Sequence, residues 1–482
     1  MKNFQEIYGE EFTRRNFLMG LGFLGVSSLL PSLPHASAAG ITKIFSSIEE
    51  LQRAIDSANM GDSLSLAPGV YTDAKITIAR NGLTISSQGA GKVIFNGSSQ
   101  VTISADSTTF NGFQFVEGDT PGIVIKVSGS RNQLVALNFS GYSAEKYINI
   151  EAGTQYNDIS FCNFENKPIS APIGNLVGVI PHEDIPGFHR IRFCSFKNLP
   201  GPGGDYGNEP IRLGVGAKSD FISRTTIENC YWENTGSGDS ESISVKSREN
   251  IIRNCLFKNN KEGMLVFRNG NDNLAYGNVF INSGGIRVKE ASNIYCFNNY
   301  FENSGFGDRA GSVIFDYIPG NLRNINFLFN TFIDSAPISL GGKGAVLNRW
   351  SNNIFSNKTG SILQDLNEGT KWLGNIYQGS LGVTSFSGMK MGSLRFVKKF
   401  DDIYRPTINS ASRSASITGF TSPLMYSGLA PANPLGRDLF NTLRPQKSIL
   451  WDVGAMQYLK VPAKTILLSS EAAGPRYLIP TR

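Results

Sequence analysis

Short runs of Ile, Val and Phe alternate along this chain with clusters of Gly, Asn, Ser and Asp. Such runs, bounded by turn-forming residues, read as short β-strands joined by tight turns. Aromatic markers, each followed by a polar pair, recur at Phe139, Phe164, Phe196, Trp232, Phe257, Phe280, Phe301, Phe332, Phe355 and Tyr377. Their spacing is mostly 21–25 residues and lengthens to 31–36 where loops are inserted. Periods of this size signal a solenoid. The repeats lack the 3.6-residue apolar stripe of helical solenoids, so the pattern predicts an all-β chain wound as a parallel β-helix.

A second column supports that register. Two residues before the marker stand Cys162, Cys194, Cys230 and Cys255, and the column continues as Asn278, Asn299, Asn330, Asn353 and Asn375. Identical residues at a fixed offset are expected where side chains stack, as in amide ladders in which each carbonyl accepts from the next NH₂. The cysteines read as small apolar filling, without zinc-site spacing.

The ends differ from the middle. Ser47 to Glu50 forms a capping box opening a helix over about 47–58, with Ile48, Leu51 and Ile55 on one face; this helix is expected to cap the open end of the stack. From about 386 to 460 the repeat fades into irregular coils, and 461–482 reads as a tail. Ahead of the cap, Thr13-Arg14-Arg15-Asn16-Phe17-Leu18-Met19 is a twin-arginine phrase, followed by an apolar stretch and Ala36-Ser37-Ala38 before Ala39. Residues 1–38 therefore read as an export signal, and residues 39–460 as the β-helix domain in a periplasmic or secreted bacterial protein. No other segment is long and apolar enough to span a bilayer.

Composition narrows the partners. The 52 Gly and 17% charged residues suit frequent turns and strands buried on one face, and the net charge of +6 favours an anionic partner. No basic-aromatic run of the kind that reads single-stranded nucleic acid is present. A monomer is the favoured state.

The stretch from Gly238 to Asn278 concentrates the candidate chemistry. Asp239 and Glu241 precede Lys246, which lies 11 residues before its marker Phe257; Arg268 lies 12 before Phe280. Equivalent corners would bring these two cations onto neighbouring strands ~4.8 Å apart. Lysine serves as a base when nearby cations and desolvation lower its pKa. A cation that neutralises the carboxylate of a 4-linked uronate stabilises the enolate formed when the C5 proton leaves. Arg287 and Lys289, one coil further, supply positive charge, and Arg212 with Glu209 is either a structural pair or part of a groove. His182 and His189 lie in a loop phrase and read as solvated. Without a matching Ser or Cys phrase they form no hydrolytic triad.

These phrases, SESISVKSREN, MLVFRNG, GDSLSLAPGVY and the closing VGA, resemble polysaccharide lyase family 6, the alginate lyases and chondroitinase B, over nearly the whole chain after residue 38. The resemblance implies a right-handed parallel β-helix and β-elimination at a uronic acid. It implies Lys246 as Brønsted base, Arg268 as Brønsted acid, and Asp239 and Glu241 as calcium ligands; Arg212, Asn269, Arg287 and Lys289 are the expected substrate-binding residues. Two positions depart from the family pattern. Asn269 stands where His usually follows the arginine, and Val215-Gly216-Ala217-Lys218 offers no third calcium ligand, leaving Asn208 as a nearby donor. Alginate is the favoured substrate. Dermatan or chondroitin sulfate lysis, a carbohydrate-binding stack without catalysis, and a β-helix glycosidase stay open as alternatives. If Ca²⁺ is dispensable, Lys218 or Arg287 is the expected neutraliser of the uronate carboxylate.

Overall fold

The computed structural model describes residues 42–199, 201, 207–236, 241–307, 310–316, 322–341, 346–398, 402–420 and 434–460. The leader (1–38), the tail (461–482) and Asp239 lie outside these residues. The described chain winds into a parallel β-helix with three long sheets of 14, 10 and 14 strands. Each strand pairs with the strand one coil earlier and one coil later, so successive coils stack in register. Among the described residues no helix is long and apolar enough to cross a membrane.

The aromatic markers form one column of the third long sheet, with Phe139 on Phe164, Phe164 on Phe196, Phe196 on Trp232, and so on to Phe355 on Tyr377. From Phe164 to Phe332 consecutive ring centroids are 4.4–5.1 Å apart, with the ring planes nearly parallel. That separation matches the spacing between strands, so stacking and backbone pairing reinforce one register.

The column two residues before the marker is the amide ladder. Asn278 Nδ2 donates to Asn299 Oδ1 at 3.0 Å, Asn299 to Asn330 at 3.0 Å, Asn330 to Asn353 at 3.0 Å, and Asn353 to Asn375 at 2.9 Å. Each Oδ1 also accepts a backbone N–H from the preceding coil. The column meets the cysteines where Cys255 N donates to Asn278 Oδ1. All five cysteines are buried and free. The polar residue two places after the marker has its own use. Asn166, Asn198, Asn234, Asn259, Asn282 and Asn303 all have positive φ, a left-handed corner that Asn tolerates better than other side-chain-bearing residues.

The N-terminal helix, α1, spans Ile48–Ser57 and buries Leu51 and Ile55. Ser47 Oγ accepts from Glu50 N, while the Glu50 carboxylate reaches back to Ser46 N, one residue earlier than a standard capping box would place it.

The C-terminal segment lies along the flank of the stack. Leu435 and Trp451 pack against Ile251, Tyr276, Phe297 and Phe329, whereas Ile403, Ala455 and Met456 pack against Tyr231, Leu256, Tyr300 and Ile333. Polar ties fix it there: Arg444 Nη2 donates to Asn298 Oδ1, and Ala455 N to Thr331 Oγ1.

His189 is not the solvated loop histidine expected from the sequence. It is 2% exposed, and its Nδ1 accepts the backbone N–H of Asn157 at 3.1 Å. Burial pushes its pKa down to about 3. The folded state thus binds fewer protons than the unfolded chain between pH ~6.5 and ~3. Stability contributed above pH ~6.5 is lost as pH falls through that window, by at most ~1.4 kcal/mol per pH unit. His189→Gln should flatten this part of a Tm-against-pH curve; an unchanged slope would assign the acid sensitivity elsewhere.

Candidate functional site

The ten-stranded second sheet carries the candidate residues. In its strands alternation buries Ile211 and Leu213, Ile243 and Val245, Leu265 and Phe267, and Ile286 and Val288 in the core. The alternate positions Arg212, Ser244, Lys246, Arg268, Arg287 and Lys289 are thereby turned to the outer face. One column runs through Asn149, Gly178, Arg212, Ser244, Val266 and Arg287. A second takes Gly214 to Lys246, and Arg268 to Lys289. Val245 pairs with Phe267, so Lys246 and Arg268, each one residue later, occupy adjacent strands as the repeat predicts.

Two buried carboxylates organise these cations. Glu209 opens the strand Glu209–Gly214, and Glu241 opens Glu241–Lys246. Glu209 Oε1 is 2.8 Å from Lys246 Nζ, and its Oε2 is 3.3 Å from Arg212 Nη1. Glu241 Oε1 is 3.1 Å from Arg268 Nη1, with the Glu241 side chain 0% and that of Arg268 34% exposed. Strict alternation would point Glu241 inward with Ile243. The register slips between these two residues against the neighbouring strand, and a bulge of this kind re-aims a side chain. Burial raises the pKa of Glu209, but the charge and hydrogen bond of Lys246, the charge of Arg212 and a hydrogen bond with Glu241 outweigh it and hold its carboxyl below the usual range.

The remaining candidates differ in availability. The Arg287 side chain is only 5% exposed and ion-paired to Asp316. Asn269, in a left-handed turn with φ 64°, donates from Nδ2 to Glu290 at 2.8 Å. Lys289 is partly exposed beside Arg268. Lys218 ends a short 3-10 turn with its ammonium 5.7 Å from the Phe221 ring centroid. Sequence reading paired Glu209 with Arg212, as the structure has it, but did not foresee its contact with Lys246, 37 residues further on.

Of the two expected calcium ligands, Glu241 is described and Asp239 lies outside the described residues. No group of three or more His, Cys, Asp or Glu that could hold a metal ion occurs among the described residues. Asn208 Oδ1, the nearby donor expected for calcium, accepts instead from Lys167 Nζ at 2.8 Å. That ammonium also donates to Pro172 O at 2.8 Å, and burial lowers its pKa to about 8.

The fold has parallels among solved structures. A PL6 family alginate lyase, AlyGC, superposes with a TM-score of 0.68 at 22% identity over 76% of this chain. This chain spans only 55% of that neighbour's length. A mannuronic acid specific family 6 lyase from human gut microbiota gives a TM-score of 0.61 at 20% identity, over 73% of this chain and 90% of the other. The PL6 family polysaccharide lyase Pedsa3628 from Pseudopedobacter saltans gives 0.59 at 19% identity, over 90% and 99% of the two chains. These likenesses establish a shared fold. No curated protein matches the sequence. The profile of the family described as Chondroitinase B matches residues 45–346, more than half of the sequence. On that match the chain belongs to the chondroitinase B family, polysaccharide lyase family 6.

Proposed function

We propose that this protein is a polysaccharide lyase that cleaves a 4-linked uronate polymer, with alginate as the favoured substrate, by β-elimination. The observation that carries the reading is the placement of Lys246 and Arg268 on adjacent strands of one outer face, each beside a buried carboxylate. In the proposed step the neutral Lys246 amine takes the C5 proton. The C5 electron pair becomes the C4=C5 double bond, the C4–O bond breaks, and the departing oxygen is protonated. Arg268 stabilises charge on that oxygen, and because guanidinium is a weak acid, water delivers the proton. Only neutral Lys246 can act as base, so the ion pair with Glu209 is the resting arrangement and must loosen before turnover.

The family match keeps a sulfated substrate as the second reading, since its name is that of a chondroitinase. Sulfated chains need more free cationic groups along the groove, whereas Arg287 is buried against Asp316. That favours a polymer bearing carboxylates alone. Neighbouring structures include an alginate lyase in complex with a trisaccharide, which supports an oligosaccharide ligand. The twin-arginine phrase supports action outside the cytoplasm.

A panel of alginate, its mannuronate and guluronate blocks, pectate and dermatan sulfate separates these readings. Elimination yields an unsaturated uronate that absorbs in the ultraviolet, and alginate should give the fastest rise. New reducing ends without that absorbance would establish hydrolysis instead. Binding with neither signal would leave a carbohydrate-binding stack.

A further inference from the structure

Family resemblance implies calcium, yet both carboxylates described beside Lys246 and Arg268 already hold protein cations. Glu209 holds Lys246 and Arg212, Glu241 holds Arg268, and Asn208 holds the Lys167 ammonium. Three cationic side chains, Lys246, Arg212 and Arg268, thus stand against the two carboxylates Glu209 and Glu241. A divalent ion entering here would have to displace existing ion pairs and then sit among the released positive charges, whose repulsion is strong in a partly buried site. The chemistry of elimination still demands a positive group on the uronate carboxylate, because the C5 proton is only weakly acidic while that carboxylate is uncompensated.

Arg212 meets the requirements for that group. It lies on the strand next to that of Lys246, paired in register with Ser244, two residues from Lys246. Gly214, the register partner of Lys246, has no side chain to fill the surface between them. The Arg212 side chain remains 26% exposed, against 5% for Arg287. Its contact with Glu209 engages Nη1, and a guanidinium carries five N–H donors in a fork matched to a carboxylate. Glu209 also grips Lys246 through its other oxygen, which fixes the distance between base and guanidinium.

We propose that Arg212, rather than a bound divalent cation, neutralises the uronate carboxylate during proton abstraction, with Glu209 as the positioning residue that sets Arg212 against Lys246. The proposal rests on the lyase reading above. Lys218 and Arg287, the substitutes suggested by sequence, are less suited: Arg287 is buried on Asp316, and Lys218 lies on the turn beyond the strand.

The test uses the full-length exported protein, stripped with chelator and assayed on the polyuronate it degrades fastest. Calorimetric titration with Ca²⁺ should show no binding at millimolar concentration, Tm should be the same with and without Ca²⁺, and elimination should survive chelation. Arg212→Ala should lower kcat about 10²-fold with a much smaller change in KM. Millimolar guanidinium should partly restore it, and Ca²⁺ should not. Ca²⁺ binding that raises Tm and is needed for turnover overturns the proposal. So does an Arg212→Ala enzyme whose defect lies in KM alone, since Arg212 would then only bind substrate. Failure of the lyase reading looks different: the wild-type protein would release no unsaturated product from any polymer of the panel.

Discussion

Lys246→Ala is expected to abolish most elimination, lowering kcat by about 10²–10⁴-fold while leaving the coil intact. The substitution is a clean probe because of what surrounds it. Glu209 keeps Arg212 on its second oxygen when Lys246 is removed, so its carboxylate retains an ionic partner. Ile243 and Val245 keep the strand anchored in the core. Arg268→Ala is a less direct probe: it takes the guanidinium from Glu241, whose side chain is 0% exposed, and a buried carboxylate deprived of its counter-charge destabilises its surroundings. Kinetics of the Lys246 variant should be read beside its Tm. Near-wild-type elimination would remove Lys246 from the role of base.

Asn299→Ala should produce a large loss of stability from a single side chain without touching the outer face. Asn299 Nδ2 donates to Ala275 O and to Asn330 Oδ1, and its Oδ1 accepts from Asn278 N and Asn278 Nδ2. Truncation takes the partner of Asn278 N and a donor from Ala275 O, whereas Asn330 Oδ1 keeps Asn299 N and Asn278 Nδ2 keeps Ile252 O, all around a column whose asparagines are 0% exposed. With each unsatisfied buried group costing ~1–3 kcal/mol, the two together cost about 2–6 kcal/mol. Thermal unfolding followed by circular dichroism should show a Tm lower by several degrees. A variant that melts with the wild type would show that water or a shifted neighbour replaces the lost bonds.

The ladder was legible because its signal is local: the same residue two places before the same aromatic marker, coil after coil. The adjacency of Lys246 and Arg268 was legible for the same reason, since both are counted from their markers. What escaped the sequence depends on spacing that the repeat does not fix. Glu209 follows an inserted loop, so nothing in its local phrase announced Lys246 as a partner. Arg287 read as a groove cation because its neutraliser, Asp316, comes from the next coil across another loop. Glu241 was placed near the site by resemblance, but its aim depends on a register slip that alternation cannot foresee. His189 looked like a loop residue because its burial is supplied by coils on either side, not by the phrase around it.

The C-terminal segment along the flank changes how the molecule should come apart. A solenoid whose coils touch only their nearest neighbours can fray from an open end, losing one repeat at a time. Here one stretch of chain touches the coils of Tyr231, Leu256, Val279, Tyr300 and Ile333, and through Val453 those of Ile354 and Ile376. Peeling the last coil therefore means detaching a strap that also grips coils far up the stack. Loss of the last coil is thereby coupled to loss of contacts on earlier ones, and the coils bearing Lys246 and Arg268 lie within that span.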